Sequence, residues 1–203
     1  KIKVDEVNSY ATQIKELNRL IYVSELDGST ANDLRDQRTL VVDKLSKVVN
    51  IEAYEVSAGK LPNGQDDVHF VVAISGKVLV EHFSATGLIV EQRTSGQQVN
   101  SEDVPNLYNV KWADGNTLNV KGGELRGYLD TRDGNDGSVG PNGITSPKFK
   151  GIPYYQSKLN EFVRTFARAF NEGYIDTDND KKYSGSDKFD GGHADGYGAN
   201  MTD

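Results

Sequence analysis

Residues 31–56 read ANDLRDQRTLVVDKLSKVVNIEAYEV, and the spacing of apolar side chains changes within them. Leu34, Val41, Leu45 and Val48 recur at intervals that line one side of a helix, after a start at which Thr30, Asn32 or Asp33 can cap exposed amides. From Ile51 the chain turns to short β-branched runs broken by Gly, Asn, Asp and Pro, the pattern of strands joined by turns. A switch of period inside one chain predicts an α+β fold, with the extent of the β block set by where the helical period returns.

Upstream, Val4, Val7, Ala11, Ile14, Leu17 and Ile21 form a stripe at three- or four-residue spacing, which predicts a helix from residue 1 to about 25. Asp27, Gly28 and Ser29 supply turn chemistry. Two amphipathic helices with so short a link fold as an antiparallel hairpin, each burying its stripe against the other.

Downstream, strands are expected at 51–56, 68–74, 78–82 and 88–92, with the lone glycines Gly64, Gly76 and Gly87 marking turns. Residues 68–74 are apolar on both faces apart from His69, which suits a central strand. The best hairpin pairs 108–112 with 117–120 around Asp114-Gly115. Gly122-Gly123 closes the block, and Glu124–Arg132 reads as a short helix with Leu125, Tyr128 and Leu129 on one side.

Residues 133–151 hold five glycines and two prolines among polar side chains and read as a long exposed loop, in which Asp133, Asn135 and Asp136 form a turn. From Ile152 to Phe170 the helical period is strongest, with Pro153 in the first turn and Tyr155, Leu159, Phe162, Val163, Phe166 and Phe170 along one face. Such a face needs a partner, and the first two helices are the simplest candidates. The expected organisation is a discontinuous helical bundle, residues 1–49 and 122–175, with a small antiparallel β domain at 50–121 inserted into it. An irregular, acidic, Gly-rich segment follows at 176–203.

Across its 203 residues the chain carries a formal charge of −7, so its field repels phosphate and anionic lipid heads, and neither nucleic acid nor membrane is an expected partner. A mean hydropathy of −0.59 is polar for one spherical core and suits an elongated body. With no cysteine, disulfides, thiolate metal sites and cysteine nucleophiles are excluded. The start of the chain lacks the charged-then-apolar layout of a signal peptide.

Nucleophilic catalysis needs a base, and only His69, His82 and His193 are available. The first two fall in expected strands and the third in the Gly-rich tail, where ordinary packing or solvent exposure explains them, and no catalytic motif surrounds any of them. The chain therefore reads as a structural protein and not an enzyme. Asp176, Asp178, Asp180, Ser184 and Asp187 do fall at positions 1, 3, 5, 9 and 12 of a calcium loop. Lys181 occupies the sixth position, where the sharp turn needs Gly, and the twelfth is Asp in place of Glu. Those departures favour a solvated acidic loop without a cofactor. A calcium- or carbohydrate-binding extracellular surface module is the alternative reading.

The motif in Ala31–Asn50 resembles the segment of flagellar hook-associated proteins in which Ala-Asn-Asp-Leu-x-Asp-Gln-Arg opens a helix. VNSYATQIKELNRLI at 7–21 resembles the helix before that motif in the same family, GGELRGYLDTRD at 122–133 its return to the helical domain, and LNEFVRTFARAFNEGY at 159–174 the helix that follows. The resemblance implies an axial component of the bacterial flagellum, exported without a cleaved signal peptide and built into the hook-filament junction outside the cell. The partners it implies are other copies of the chain in a ring, the hook protein and the second junction protein. It further implies that these residues are an interior piece of a longer protein.

Overall fold

The structure is a computed structural model and describes residues 1–26, 29–61, 64 and 66–172. Helix α1 (Ile2–Glu25) and helix α2 (Asn32–Val48) form the expected antiparallel hairpin. The α1 stripe is buried at Val4, Val7, Ala11, Ile14 and Ile21, and each buried Val or Ile contributes about 1.5–3 kcal/mol. Asn18 takes the place on that stripe expected for Leu17. No side chain of Thr30, Asn32 or Asp33 caps α2, whose N-cap is Ala31. Glu25 Oε1 accepts the Ala31 N–H instead, at 3.1 Å, so the preceding helix supplies an acceptor at this end.

Four antiparallel strands follow in spatial order: β1 (Glu52–Lys60), β2 (Asp66–Ile74), β3 (Lys77–Glu81) and β4 (Ser84–Ala85). β2 lies inside this sheet, and Val71 to Ile74 are buried on both of its faces. β1 is an edge strand exposed along its length, with a bulge at Ser57/Gly59 that interrupts its register. Ser75 and Gly76, both at positive φ, make the tight β2–β3 turn.

β5 (Leu88–Gln92) and β6 (Tyr108–Trp112) form a second, two-stranded sheet. This corrects the expected pairing of 108–112 with 117–120, which is reduced to a single bridge between Lys111 and Thr117. The Asp114-Gly115 reversal is present, with Trp112 N–H donating to Asn116 O at 2.9 Å. Beyond it the chain peels away, and the core beside β6 is completed by β5, with Leu88 opposite Trp112 and Val90 opposite Val110. Val120 is thereby free to enter the core itself.

One hydrophobic cluster unites these parts: Val7 and Ile14 of α1, Leu45 and Val48 of α2, Val72, Leu79 and Val80 of the sheet, and Trp112, Val120 and Leu125 beyond it. Leu125 belongs to α3 (Gly123–Asp133), which packs on α2. The segment 133–151 is largely exposed, as expected, but it is not unpacked. It folds back on itself through bridges Asn135–Lys150 and Val139–Thr145, and buries Asp133 and Ser146.

Helix α4 (Ile152–Glu172) forms as expected but does not pack on α1 and α2. Among the described residues its contacts are with α3, and the face from Tyr155 to Phe166 is exposed. The hairpin spends the buried α1 and α2 stripes on each other and on the sheet, so neither stripe is left to cover α4.

Candidate functional site

The residues proposed from sequence as a metal loop, Asp176, Asp178, Asp180 and Asp187, lie outside the described residues, as does His193. Within them, the structure places the motif residues at two polar joints, which tie the helix hairpin to the sheet and α3 to the loop after it.

The first joint gathers Arg35 and Arg38 of α2 between α1 and β1. Arg35 donates to both carboxylate oxygens of Glu25, Nε to Oε1 at 3.0 Å and Nη2 to Oε2 at 2.7 Å, a two-pronged pairing matched to the guanidinium fork. The hydrogen bonds from Arg35 hold the Glu25 carboxyl below the ordinary carboxylate range and raise the guanidinium in return. Arg38 reaches deeper. It donates to Asn18 Oδ1 at 3.0 Å and Glu55 Oε1 at 3.2 Å, and lies over the Phe70 ring at 3.9 Å. Burial, and then the neighbouring Arg35 charge, pull its guanidinium below its usual value. The two arginines thus clamp α1, α2, β1 and β2 in one contact set, with a small cleft of about 60 Å³ between them.

Asparagines complete the docking of α1. Asn8 exchanges two hydrogen bonds with Leu88, Nδ2 to its O at 2.8 Å and Oδ1 from its N–H at 2.7 Å, imitating a strand neighbour for β5. Asn18 Nδ2 donates to His82 O at 2.8 Å. Asn50, at the end of the α2 motif, accepts from the N–H groups of Lys121 and Gly122, both at 2.9 Å. That brings the α3 entry against α2 so closely that a Cβ on Gly123, whose φ is +83°, would sit 2.7 Å from Val48 O.

The second joint closes the far end of α3. Asp133, read from sequence as a turn residue, is buried between Arg93 and Arg132, with Arg93 Nη2 donating to Oδ2 at 3.0 Å. Burial alone would raise its carboxyl, but hydrogen bonds from Arg132 and then Arg93 outweigh it and hold it below the ordinary range. Asp103 takes Arg93 Nη1 at 3.0 Å, and Asn100 Nδ2 donates to Asp133 O at 2.9 Å. Asn135 and Asp136 sit in the loop base, Asp136 at positive φ, and do not join this network.

Sequence reasoning missed Asn8, Asn18, Arg93, Asn100 and Asp103. Asn18 alone carried a signal, since it stands four residues after Ile14 and three before Ile21 on the buried stripe. Asn8, Arg93 and Asn100 act through contacts distant in sequence that periodicity does not encode, and Asp103 acts on Arg93 ten positions upstream.

What remains is surface. Tyr155, Leu159, Phe162, Val163, Phe166 and Phe170 are each 53–64% exposed along one side of α4. Phe162, Phe166 and Phe170 stack in series, with centroids 6.1 and 6.2 Å apart. A contiguous apolar face of this kind marks an interaction surface.

Comparison with known proteins gives this architecture its setting. Residues 1–181 match the model of the flagellar hook-associated protein FlgK helical domain. The chain belongs to that family. Flagellar hook-associated protein 1 of Escherichia coli strain K12 is 27% identical over 172 residues, covering 83% of this chain and 26% of the relative. Its counterpart in Bacillus subtilis strain 168 is 27% identical over 194 residues, covering 91% of this chain and 36% of that protein. This chain therefore spans about a quarter to a third of the relatives it matches. The solved structure of the flagellar hook junction protein FlgK from Burkholderia pseudomallei is 26% identical, covers 66% of this chain and 24% of its own, and superposes with a TM-score of 0.46. The FlgK match spans both joints and all of α4.

Proposed function

We propose that this chain is a structural component of the bacterial flagellum, joining hook to filament by subunit assembly outside the cell. It is exported without a cleaved signal peptide. Its partners are other copies of itself in a ring, the hook protein and the second junction protein. Membership of the FlgK helical-domain family and the names of the relatives support the setting.

The observation that carries the reading is α4. A helix of 21 residues extends about 31 Å at 1.5 Å per residue, long enough to carry a continuous helix-to-helix seam. Its apolar side chains form one stripe and no groove, so the occupant that fits is another amphipathic helix of the axial assembly. The clamped hairpin and sheet form the rigid body that presents it.

The test uses the full-length protein in cells lacking it. Phe162→Glu combined with Phe166→Glu is expected to leave export into the medium unchanged and to abolish filament growth from the hook. Normal filaments on cells carrying the double variant would overturn the proposal.

A further inference from the structure

The contacts above leave one cluster unused at the boundary between α1 and the sheet. His69 projects from β2, and His82 opens the two-residue connection between β3 and β4 at φ +48°. Their rings lie 3.7 Å apart between centroids and 14° from parallel. Tyr22 of α1 meets that turn edge-on, 5.6 Å from the His82 ring and 5.3 Å from Phe83. Asn18 holds the same turn through His82 O. The His82-Phe83 turn is therefore a place where the C-terminal half of α1 rests on the sheet.

Parallel imidazoles at that separation stack while at least one is neutral, and two imidazolium ions repel. The surrounding charges decide how many protons the pair can hold. From β2, the Asp67 carboxylate stands 3.7 Å from His69 Nε2, and Asp66 is paired with Lys60. Glu81 adds a second acid from β3. Across the adjoining cleft, Tyr22 and Glu25 face in from α1, Arg35 and Arg38 from α2, and Glu55 from β1. Both glutamates are bound to those arginines, so they offer little to an imidazolium. One proton finds a partner in Asp67; the second meets burial and the first imidazolium's charge, which outweigh the pull of Asp67 and Glu81.

We propose that His69 and His82 form an acid-operated latch between α1 and the sheet, in which charging both imidazoles opens the stack and releases the His82-Phe83 turn from Tyr22. Burial, and then the His69 charge, hold the His82 imidazole below its ordinary value of 6.5, which fits the second proton being the costly one. The sign follows from linkage. A folded-state value below the unfolded one gives a contribution that is complete above about pH 6.5 and declines as pH falls through that value.

Imidazole NMR titration of the 203-residue chain tests this, with His69→Gln and His82→Asn assigning the signals; Asn tolerates the positive φ at position 82. The His82 midpoint is expected below 6.5, and to rise by a few tenths of a unit or more in His69→Gln once the neighbouring charge is gone. In the unmodified chain, ring-to-ring NOEs between Tyr22 and Phe83 are expected to vanish as the second imidazole charges, while the Trp112 indole signal of the core stays in place. A His82 midpoint indifferent to His69→Gln, NOEs that persist with both rings charged, or simultaneous loss of the Trp112 signal would each overturn the latch.

Discussion

The Arg38 guanidinium lies over the Phe70 ring, 3.9 Å from its centroid, while its nitrogens reach Asn18 on α1 and Glu55 on β1. One side chain thereby joins both helices of the hairpin to the sheet. A lysine has the charge but neither the plane nor the fork, so Arg38→Lys should cost about 1–3 kcal/mol. Arg38→Ala should cost more, because Asn18 Oδ1 would be left buried without its donor. Urea unfolding midpoints of the two variants, compared at equal m-value, check both the loss and its order.

At the other joint the relevant variable is pH. Asp133 is buried against Arg93 and Arg132, and its folded carboxyl sits below the ordinary value of 3.8. A depressed folded value means stability that is present above the unfolded value and lost as pH falls through the folded one. Asp133→Asn should therefore destabilise the chain by about 3 kcal/mol at neutral pH, since Arg93 keeps its charge in a buried place with only Asp103 opposite. The same variant should lose less stability than the parent between about pH 5 and pH 2. Unfolding free energies measured across that range decide it. An acid limb as steep in the variant as in the parent would show that other carboxylates govern acid unfolding.

How far the sequence foretold this arrangement depends on the range of each interaction. Val7, Ile14, Leu45 and Val48 repeat at helical spacing, so both helices and the faces they bury were legible. The β5–β6 pairing was not, because it joins Leu88 to Trp112 across 24 positions while an Asp-Gly turn advertises a nearer partner. α4 shows the opposite error. Its stripe correctly announced a helix and an apolar contact, but amphipathicity does not name the partner, and the nearest helices had already buried their faces elsewhere. The acidic loop at Asp176–Asp187 lies outside the described residues. Asp133 was misread as a turn residue because its arginine partner lies forty positions upstream.

The α3 entry makes a sharper case about backbone. Gly123 combines φ +83° with a Cβ position 2.7 Å from Val48 O, so any side chain meets both torsional strain and a backbone atom that cannot move aside. Gly123→Ala should cost about 2–4 kcal/mol, with the contact adding to the roughly 1–3 kcal/mol of torsional strain. Gly115 has nearly the same φ, +85°, with open space around its Cβ. Gly115→Asn should cost less than about 1 kcal/mol, since Asn tolerates that region. Thermal midpoints of the pair separate steric contact from torsion: equal losses would mean that the approach to Val48 contributes nothing.

The bare face of α4 separates folding from association. Phe162 and Phe166 are each more than 60% exposed, so replacing both with Glu removes almost no buried area, and Glu is a better helix former than Phe. The unfolding midpoint of the 203-residue chain should stay within about 0.5 kcal/mol of the parent. In the parent, a stripe of six large apolar residues should draw chains together as concentration rises, because water gains from covering it. Sedimentation velocity across a concentration series should show association in the parent and a single monomeric species in the double variant. If the variant unfolds earlier, the face is part of the fold and has a partner within the chain. If both proteins stay monomeric at every concentration, α4 requires a helix different from itself, and the assembly contact is between unlike segments.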